Sequence, residues 1–470
     1  MAIDAALVES LDAQLAADLR KDGRLGKVAR YLAGDQDMPY MPKGAKAEFE
    51  HLAKRSITNW TPLLSDTFVK ALFVDGYRPA KSTDNSKAWA YWQDNGLDAR
   101  QVIAHRGALE YGTSYVLVLP GQDKARPVIK PLSPLRSMAW YADADDEFPV
   151  YALRRLSDRP DKSRVVEAYD AEAIYTFVLK DGGAGWAQEG ASRAHGLGVT
   201  PVVRFRDRLD GEAIGVVRPA ITLQDRVNEV VFATLIAMQY ASFRQRWATG
   251  LAIPTIEDED DPNHGKPVQP FEAAINRLWV SDSTDTKFGD FAQTEISGHR
   301  GLYEDTVKTL AAVSQISPNV LTGDLVNLSA EALAQLQDTT QRKLAEYEIL
   351  FGEAWEQVLR LAATAAGNVD GATDTASEVK WRDTEARALA ATVDALGKIV
   401  TMLGVPAEAV WDRIPGVTET DVQRWRAMRQ SDPLAQLTAE IQRQTATQAT
   451  VNSVASEVAA PDSQAGVTGA

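Results

Sequence analysis

GLYEDTVKTLAAVSQIS, PNVLTGDLVNL and SAEALAQLQDTTQRKLAEYEILFGEAWEQVLRLAATAAG follow one another over residues 301–367. They read as a short helix (Gly301–Ser317), a tight polar loop (Pro318–Leu328) and a very long helix from Ser329 towards Gly367. Pro318 has no N–H and its ring clashes with the preceding turn, so the first helix cannot run through it. Thr322-Gly323-Asp324 is turn chemistry, with glycine free to take positive φ. Ser329 is an N-cap residue type, and Glu331 puts an anion where the helix dipole favours one. Leu333, Leu336, Leu344, Tyr347, Phe351, Trp355 and Val358 then recur on one helical stripe, with Arg342, Lys343, Glu346 and Glu353 mostly off it. At 1.5 Å per residue this helix is roughly 50 Å long or more. Large rings, coiled coils and repeat proteins use helices of that length. An ordinary helical protein with one long amphipathic helix would also fit, whereas few compact enzymes need one.

Upstream, Arg218–Trp247 reads as another helix, with Leu223, Val227, Val230, Val231, Leu235 and Met238 as its apolar stripe and Asp225, Arg226 and Glu229 off it. Between it and Gly301 lies a mixed insertion, Gly250–Arg300. Its acidic run Glu257–Asp261 lacks the spacing of a calcium loop and reads as a solvated surface. Arg277–Ser281 in the same insertion reads as a strand.

Nearer the N-terminus, residues 1–33 read as helix, followed by a Pro/Gly-punctuated connector, Asp37–Gly44. Helices are expected at Ala45–Arg55, Asn59–Phe73 (capped by Asn59, with Pro62 in its first turn), Ser86–Asn95 and Asp98–Tyr111. The pattern then changes to short β-rich runs at Ser114–Leu119, Val128–Pro131, Val150–Arg155, Arg164–Ala168, Ile174–Leu179 and Val202–Phe205. Asp181–Gly185 is glycine-rich but lies between two strand patterns and lacks the Walker lysine, so it reads as a hairpin turn. Beyond the long helix, Ser377–Trp381 is a lone strand expected to rejoin the earlier sheet. Helices follow near Asp383–Leu403, Ala407–Arg413 and Thr420–Gln430. After Asp432-Pro433 the chain is poor in aromatics and reads as a short helix and then a disordered tail.

Among its 470 residues the chain has no cysteine, which excludes a disulfide framework and thiol chemistry. Its net charge of −15 disfavours tight static binding to DNA, because phosphate neutralisation needs cations, but is compatible with weak sliding contact. The N-terminus lacks the basic and apolar regions of a signal peptide. The longest apolar run, Val230–Met238, is far short of the roughly 20 residues of a membrane helix, so no membrane partner is expected. His51, His105, His195, His264 and His299 show no metal-ligand spacing, and there is no HExxH, GxSxG or phosphate loop. No catalytic residue, metal or cofactor is assigned. The class is α+β, mostly helical.

A set of short motifs, in order, fills this framework: Tyr31-Leu-Ala-Gly-Asp-Gln36, Pro39-Tyr-Met-Pro42, Asn59-Trp60, Val74-Asp-Gly-Tyr-Arg78, Ile316-Ser-Pro-Asn-Val-Leu-Thr-Gly323, Ser329-Ala-Glu-Ala-Leu333, Phe351-Gly-Glu-Ala-Trp355 and Trp381-Arg-Asp-Thr-Glu-Ala-Arg387. Over about residues 1–430 this order resembles the portal proteins (head-to-tail connectors) of tailed bacteriophages, most closely those of siphophages of actinobacteria. The resemblance implies a homo-oligomeric ring of about twelve subunits at one capsid vertex. Double-stranded DNA would pass through its channel in packaging and ejection. Partners would be the terminase, a head-completion or adaptor protein, and the major capsid and scaffold proteins. The place would be the virion, after assembly in the host cytoplasm.

Carried onto this chain, residues 1–217 would be the wing, 218–247 and 301–317 the paired stem helices, and 248–300 the clip. Residues 318–328 would be the tunnel loop, 329–367 the long helix, 368–383 a strand returning to the wing, 384–432 the crown and 433–470 the tail. The loop residues expected along the channel are Pro318, Asn319, Val320, Leu321, Thr322, Gly323, Asp324, Leu325, Val326 and Asn327. No lysine or arginine lies among them, which fits loose contact with DNA. Another virion structural protein, such as a minor head or tail component, shares this composition. An enzyme on the β-rich middle region is the third reading.

Overall fold

The computed structural model describes residues 3–41, 46–80, 86–242, 246–250, 255–257, 260, 262, 264–266, 285–290, 296–323, 330–382, 389–414 and 416–430. The expected strand Arg277–Ser281, the N-cap Ser329, much of the acidic run 257–261 and the tail beyond 430 lie outside the described residues.

The chain starts with helices α1 (Ala5–Asp18), α2 (Arg24–Leu32), α3 (Lys46–Ser56) and α4 (Thr61–Val69), then strand β1 (Val74–Arg78), then α5 (Ser86–Asp94) and α6 (Leu97–Tyr111). A β-rich stretch follows: β2 (Thr113–Leu119), β3 (Val128–Leu132), β4 (Ser137–Trp140), β5 (Tyr151–Arg155), β6 (Arg164–Tyr169), β7 (Ala173–Leu179), β8 (Ala187–Gln188), β9 (Arg193–Ala194) and β10 (Val202–Arg206). Next come α7 (Ile221–Ser242), the ribbon strands β11 (Arg246–Thr249) and β12 (Lys287–Asp290), then α8 (Ser297–Ser314), α9 (Pro318–Thr322) and α10 (Ala330–Ala365). The described chain ends with α11 (Val369–Ala372), β13 (Glu378–Trp381), α12 (Leu389–Leu403) and α13 (Glu419–Gln430).

Four expectations change. Residues 1–33 are two helices, because the chain turns a tight corner at Leu19–Gly23. A Cβ on Gly26 would lie 1.9 Å from the Arg20 carbonyl oxygen, so the corner tolerates only glycine there. The helix expected from Asn59 starts at Thr61, and Asn59 does not cap it. The helix expected over Arg218–Trp247 is a 3₁₀ turn at Arg218–Ala220 and then α7, which ends at Ser242. Trp247 instead pairs in β11 opposite Gly289. Finally, β13 does not rejoin the β-rich sheets; it pairs with β1. Asp75 and Gly76 are poor strand formers and hide β1 from a propensity reading. The turn at Asp181–Gly185 is a hairpin as expected, with Val178 opposite Ala187.

The chain divides into two compact units: residues 1–73 with 78–379, and residues 74–77 with 380 onward. In the first, β4 to β9 form a six-stranded antiparallel sheet, and β10-β2-β3 a three-stranded one. Side chains alternate across each strand. Leu153, Val166, Ala168, Tyr175 and Phe177 face α1 and α2, against Val8, Leu11, Leu15, Leu25 and Val28. Ala152, Tyr169 and Ile174 face the other way, onto Tyr115, Leu117, Leu132 and Val202 of the small sheet. Buried Asp12 of α1 accepts from Arg155 Nε at 2.6 Å and fastens this layer.

α10, 36 residues long, lies against β10 and β2 beside α5 and α6. Its stripe residues Leu344, Tyr347, Phe351, Trp355 and Val358 are buried, as their spacing predicts. Here an aromatic chain forms. Trp92 meets Trp355 at 4.8 Å between ring centroids, and Phe205 meets Trp355 at 4.9 Å, both edge-on. His105 stacks on Phe351 at 5.5 Å, and Tyr347 meets Phe68 at 5.6 Å. Such pairs add about 0.5–1.5 kcal/mol each beyond the area they bury. Trp355 Nε1 donates to His105 Nε2 at 2.8 Å, so Nδ1 carries the imidazole proton and donates to the Leu72 carbonyl at 3.2 Å. Burial holds the ring neutral, pushing its pKa down to about 3.

In the second unit Arg382 pairs with Asp75 at 3.3 Å, Trp411 packs edge-on against Trp425, and Arg429 pairs with Glu408 at 2.9 Å. Residues 383–388, the start of the helix expected at Asp383, lie outside the described residues.

Two predictions follow from the His105 pocket. Trp355→Phe leaves Nε2 of a buried imidazole unpaired and should cost about 1–3 kcal/mol in chemical denaturation; an unchanged midpoint would refute the hydrogen bond's role. The second concerns pH. The unfolded chain protonates His105 near its ordinary value of about 6.5, while the folded chain resists until about 3. Between these values only the unfolded state takes up the proton, so stability falls as pH drops, by up to ~1.4 kcal/mol per unit. His105→Gln should flatten the dependence of the urea midpoint between pH 7 and pH 5, and equal slopes for the two proteins would count against this account.

Candidate functional site

The residues singled out at 318–327 follow α8, and α8 packs along α7. Val227, Val230, Phe232 and Ala237 of α7 and Thr306, Val307, Leu310 and Ala311 of α8 are buried. Farther along the pair, Val231, Thr234, Leu235, Ile296, His299, Arg300 and Tyr303 line an apolar hollow of about 220 Å³.

α8 ends in a turn that needs a left-handed residue. Gln315 takes it, at φ 56°, and the Ile316 N–H reaches back to the Ala311 carbonyl at 3.0 Å while the Ile316 side chain is buried. This is the 6→1 closure typical of helix C-termini, with glutamine where glycine is usual. The Gln315 carbonyl accepts from Thr340 Oγ1 of α10 at 3.2 Å, tying the turn to the long helix. Ser317 is extended, and Pro318 opens α9 from its first position, where its missing N–H costs nothing. Gly323 closes α9 at φ 69°, donating to the Asn319 carbonyl at 2.9 Å.

The stretch expected as loop is therefore a helical turn over its first half. Val320, Thr322 and Gly323 are exposed, and Pro318 and Asn319 half-buried. Leu321 is buried and anchors the turn, so it offers its side chain to the fold and not to solvent. Asp324, Leu325, Val326 and Asn327 lie outside the described residues.

What holds α7 in place is polar. Gln224 and Asn228, one turn apart and both buried, face the N-terminal helices. Gln224 Oε1 accepts from the Trp60 N–H at 3.2 Å, and Asn228 Oδ1 accepts from the Thr58 N–H at 3.1 Å. Asn228 Nδ2 donates to Gln36 Oε1 at 2.7 Å; Gln36 Nε2 donates to Asn59 Oδ1 at 2.9 Å; Asn59 Nδ2 donates to the Leu32 carbonyl at 3.0 Å. The Trp60 ring meets Tyr303 of α8 at 6.1 Å. Beside this network, the Tyr31 hydroxyl lies 2.6 Å from Asp225 Oδ1 and 3.0 Å from Asp37 Oδ2. Burial raises the Asp225 carboxyl, whereas Arg30 outweighs burial at Asp37 and holds that carboxyl low.

The sequence reading missed Gln224 and Asn228 because they sit among the polar residues Asp225, Arg226 and Glu229, where an amide looks like part of a solvated face. The available signal was two amides four residues apart between Leu223 and Val230. Among the described residues no group of three or more His, Cys, Asp or Glu side chains could hold a metal ion, and no helix is long and apolar enough to cross a membrane.

A family model described as "Phage portal protein, SPP1 Gp6-like" matches residues 14–433. Two curated relatives, each named "Portal protein", come from Mycobacterium phages D29 and L5. They are 26% and 24% identical to this chain over 354 residues, which is 72% of this chain and 71% of each relative. Among solved structures, a chain in the neck of an empty gene transfer agent particle has a TM-score of 0.41 at 12% identity, covering 82% of this chain and 97% of that one. A chain in the neck of the native particle has a TM-score of 0.43 at 10% identity, with 80% and 93% covered.

Replacing Asn228 with alanine strands the Gln36 and Thr58 groups it serves. The expected loss is about 1–3 kcal/mol of unfolding free energy. Thermal or urea unfolding measures it, and a loss within error of zero would show that the network does not hold α7.

Proposed function

The chain belongs to the SPP1 Gp6-like phage portal protein family, and from that premise we propose that it assembles as a ring at one vertex of a phage capsid and conducts double-stranded DNA in packaging and ejection. The observation that carries this reading is the family match itself, whose range, residues 14–433, takes in α7, α8, the Pro318 turn and α10. The family is one of structural proteins. In this reading the chain is a channel and a docking platform, and a separate terminase ATPase supplies the force.

α7 and α8 serve as the stem, and the turn at Pro318–Gly323 with the residues after it, to Asn327, as the loop that meets DNA. The segment 248–300 is the clip, contacting the terminase first and a head-completion protein later. Residues 1–217 act as the wing, joined by 368–383 through the β1–β13 pair, 384–432 as the crown and 433–470 as the tail. The ring has about twelve subunits. It is built in the host cytoplasm with scaffold and major capsid protein, and remains in the virion.

The chemistry of the turn supports this role. Its exposed residues, Val320 and Thr322, bear no charge, and no cation occurs from Pro318 to Leu328. DNA grips cations through counterion release, so a neutral or acidic rim lets the duplex slide. A surface of net charge −15 per subunit favours a centred duplex over an adsorbed one.

Electron microscopy of the purified protein, with native mass spectrometry to count subunits, should show closed rings of about twelve copies with an axial hole. A chain that stays monomeric or dimeric at high concentration and with scaffold present would overturn the reading. In a reconstituted packaging motor, Val320→Lys and Asp324→Lys/Asn327→Lys should slow DNA translocation and make it more salt-sensitive, since each adds a phosphate contact. Rates equal to the wild type at low salt would remove the turn from the DNA path.

A further inference from the structure

We propose that Arg204, Arg206 and Tyr141 form an oxyanion-binding site on the first unit, taking a phosphate or a carboxylate. The site is separate from the α7–α8 pair and does not rest on the portal reading.

Arg204 and Arg206 are two apart on β10, so both project from the face that carries Val202, opposite Tyr115 and Thr113 of β2. Both guanidiniums turn to one acceptor, the Ala144 carbonyl in the loop between β4 and β5. Arg204 Nη2 donates to it at 2.7 Å and Arg206 Nη1 at 3.0 Å. Two like charges thus converge on a single neutral oxygen, with most of their ten N–H donors directed elsewhere. Among the described residues no carboxylate lies within 4.0 Å of either.

Other arginines of the chain are paired. Arg24, Arg106, Arg154, Arg155 and Arg208 each meet an aspartate or glutamate within that distance. Asp145 is the acid whose field reaches Arg206, and it makes no ion pair with it.

The third group supplies an independent observation. The Arg204 guanidinium lies over the Tyr141 ring at 3.9 Å from its centroid, which fixes the plane of the fork. The Tyr141 hydroxyl is buried and has no hydrogen-bond partner among the described residues. Burial pushes this phenol far up, so it remains a proton donor at any working pH. Burial and, next, the neighbouring Arg204 charge push Arg206 down, against the opposing field of Asp145. Two planar forks and one O–H donor match a tetrahedral or planar oxyanion better than a spherical halide, because guanidinium pairs bind oxygens two at a time. Arg204 and Arg206 are both partly exposed, so a ligand can reach the two guanidiniums from solvent, whereas the Tyr141 hydroxyl itself is out of solvent.

The test is titration of the purified chain with inorganic phosphate, against sodium chloride at matched ionic strength, read by calorimetry and by the line width of the phosphate ³¹P resonance. We expect saturable binding in the millimolar range that chloride does not reproduce. Arg206→Lys keeps the charge and one donor to Ala144 but loses the fork, and should weaken binding about tenfold. Tyr141→Phe keeps the stacked ring and loses only the hydroxyl, and should weaken it about threefold. Circular dichroism and the urea midpoint establish that both variants are folded. Sodium acetate distinguishes the source of the ligand. Competition by acetate at similar concentration assigns the site to carboxylates, as from an acidic side chain, and failure to compete assigns it to phosphate. Absence of saturable phosphate binding by the wild type, or equal binding by folded Arg206→Lys, overturns the site.

Discussion

The indole–imidazole hydrogen bond between Trp355 and His105 joins α6 to the long helix α10 in the first unit. His105 reaches it from α6, Trp355 from the long helix, and Phe205 of β10 closes the aromatic group around them. A histidine in this position must be neutral and in one tautomer, since its two nitrogens face one donor and one acceptor. Leu344, Tyr347, Phe351, Trp355 and Val358 supply the buried apolar stripe of α10, which by itself is non-directional. A directional bond at one position adds a fixed register, as a single buried polar group does in other helical packings. α10 in turn carries Thr340 to the Gln315 carbonyl, so the geometry of the Pro318 turn is set from the aromatic core.

Much of this was legible in the chain. α10 was readable because seven apolar side chains keep helical spacing over a length that no other element competes for. β2, β3, β6, β7 and β10 were readable because β-branched and aromatic residues fill them between turn signals. Several of the motifs that carried the family resemblance turn out to be contact residues. Tyr31, Gln36, Asn59 and Trp60 are the N-terminal side of the network that holds α7 and α8. Phe351 and Trp355 are the aromatic core, and Ile316–Gly323 is the turn.

What remained illegible has physical causes. The corner at Leu19–Gly23 interrupts a sequence whose helical periodicity continues through it, because close approach of backbone to backbone leaves no trace in hydrophobic pattern. The end of α7 was missed because Trp247, an equally good residue for either state, takes its structure from Phe288 and Gly289 across the ribbon. The burial of Leu321 could not be separated from the exposure of Val320, since a five-residue helix gives too short a period. The polar anchor of α7 was invisible for a different reason. Amides cost little to place on a helix, and only their partners reveal that they are inside.

The pairing of β1 with β13 has a bearing on the birth of the molecule. The two strands are separated by 300 positions, from Arg78 to Glu378. At roughly 5–20 residues per second a ribosome takes about 15–60 s to cover that distance. For all of that time the β1 edge has no partner, while neighbouring nascent chains offer wrong ones. A strand with aspartate and glycine at its centre is a poor template for such adhesion, so the low propensity that concealed β1 also protects it. The second unit, which needs Val74–Tyr77 as well as residues from Lys380 on, cannot begin to close until the ribosome has passed that point.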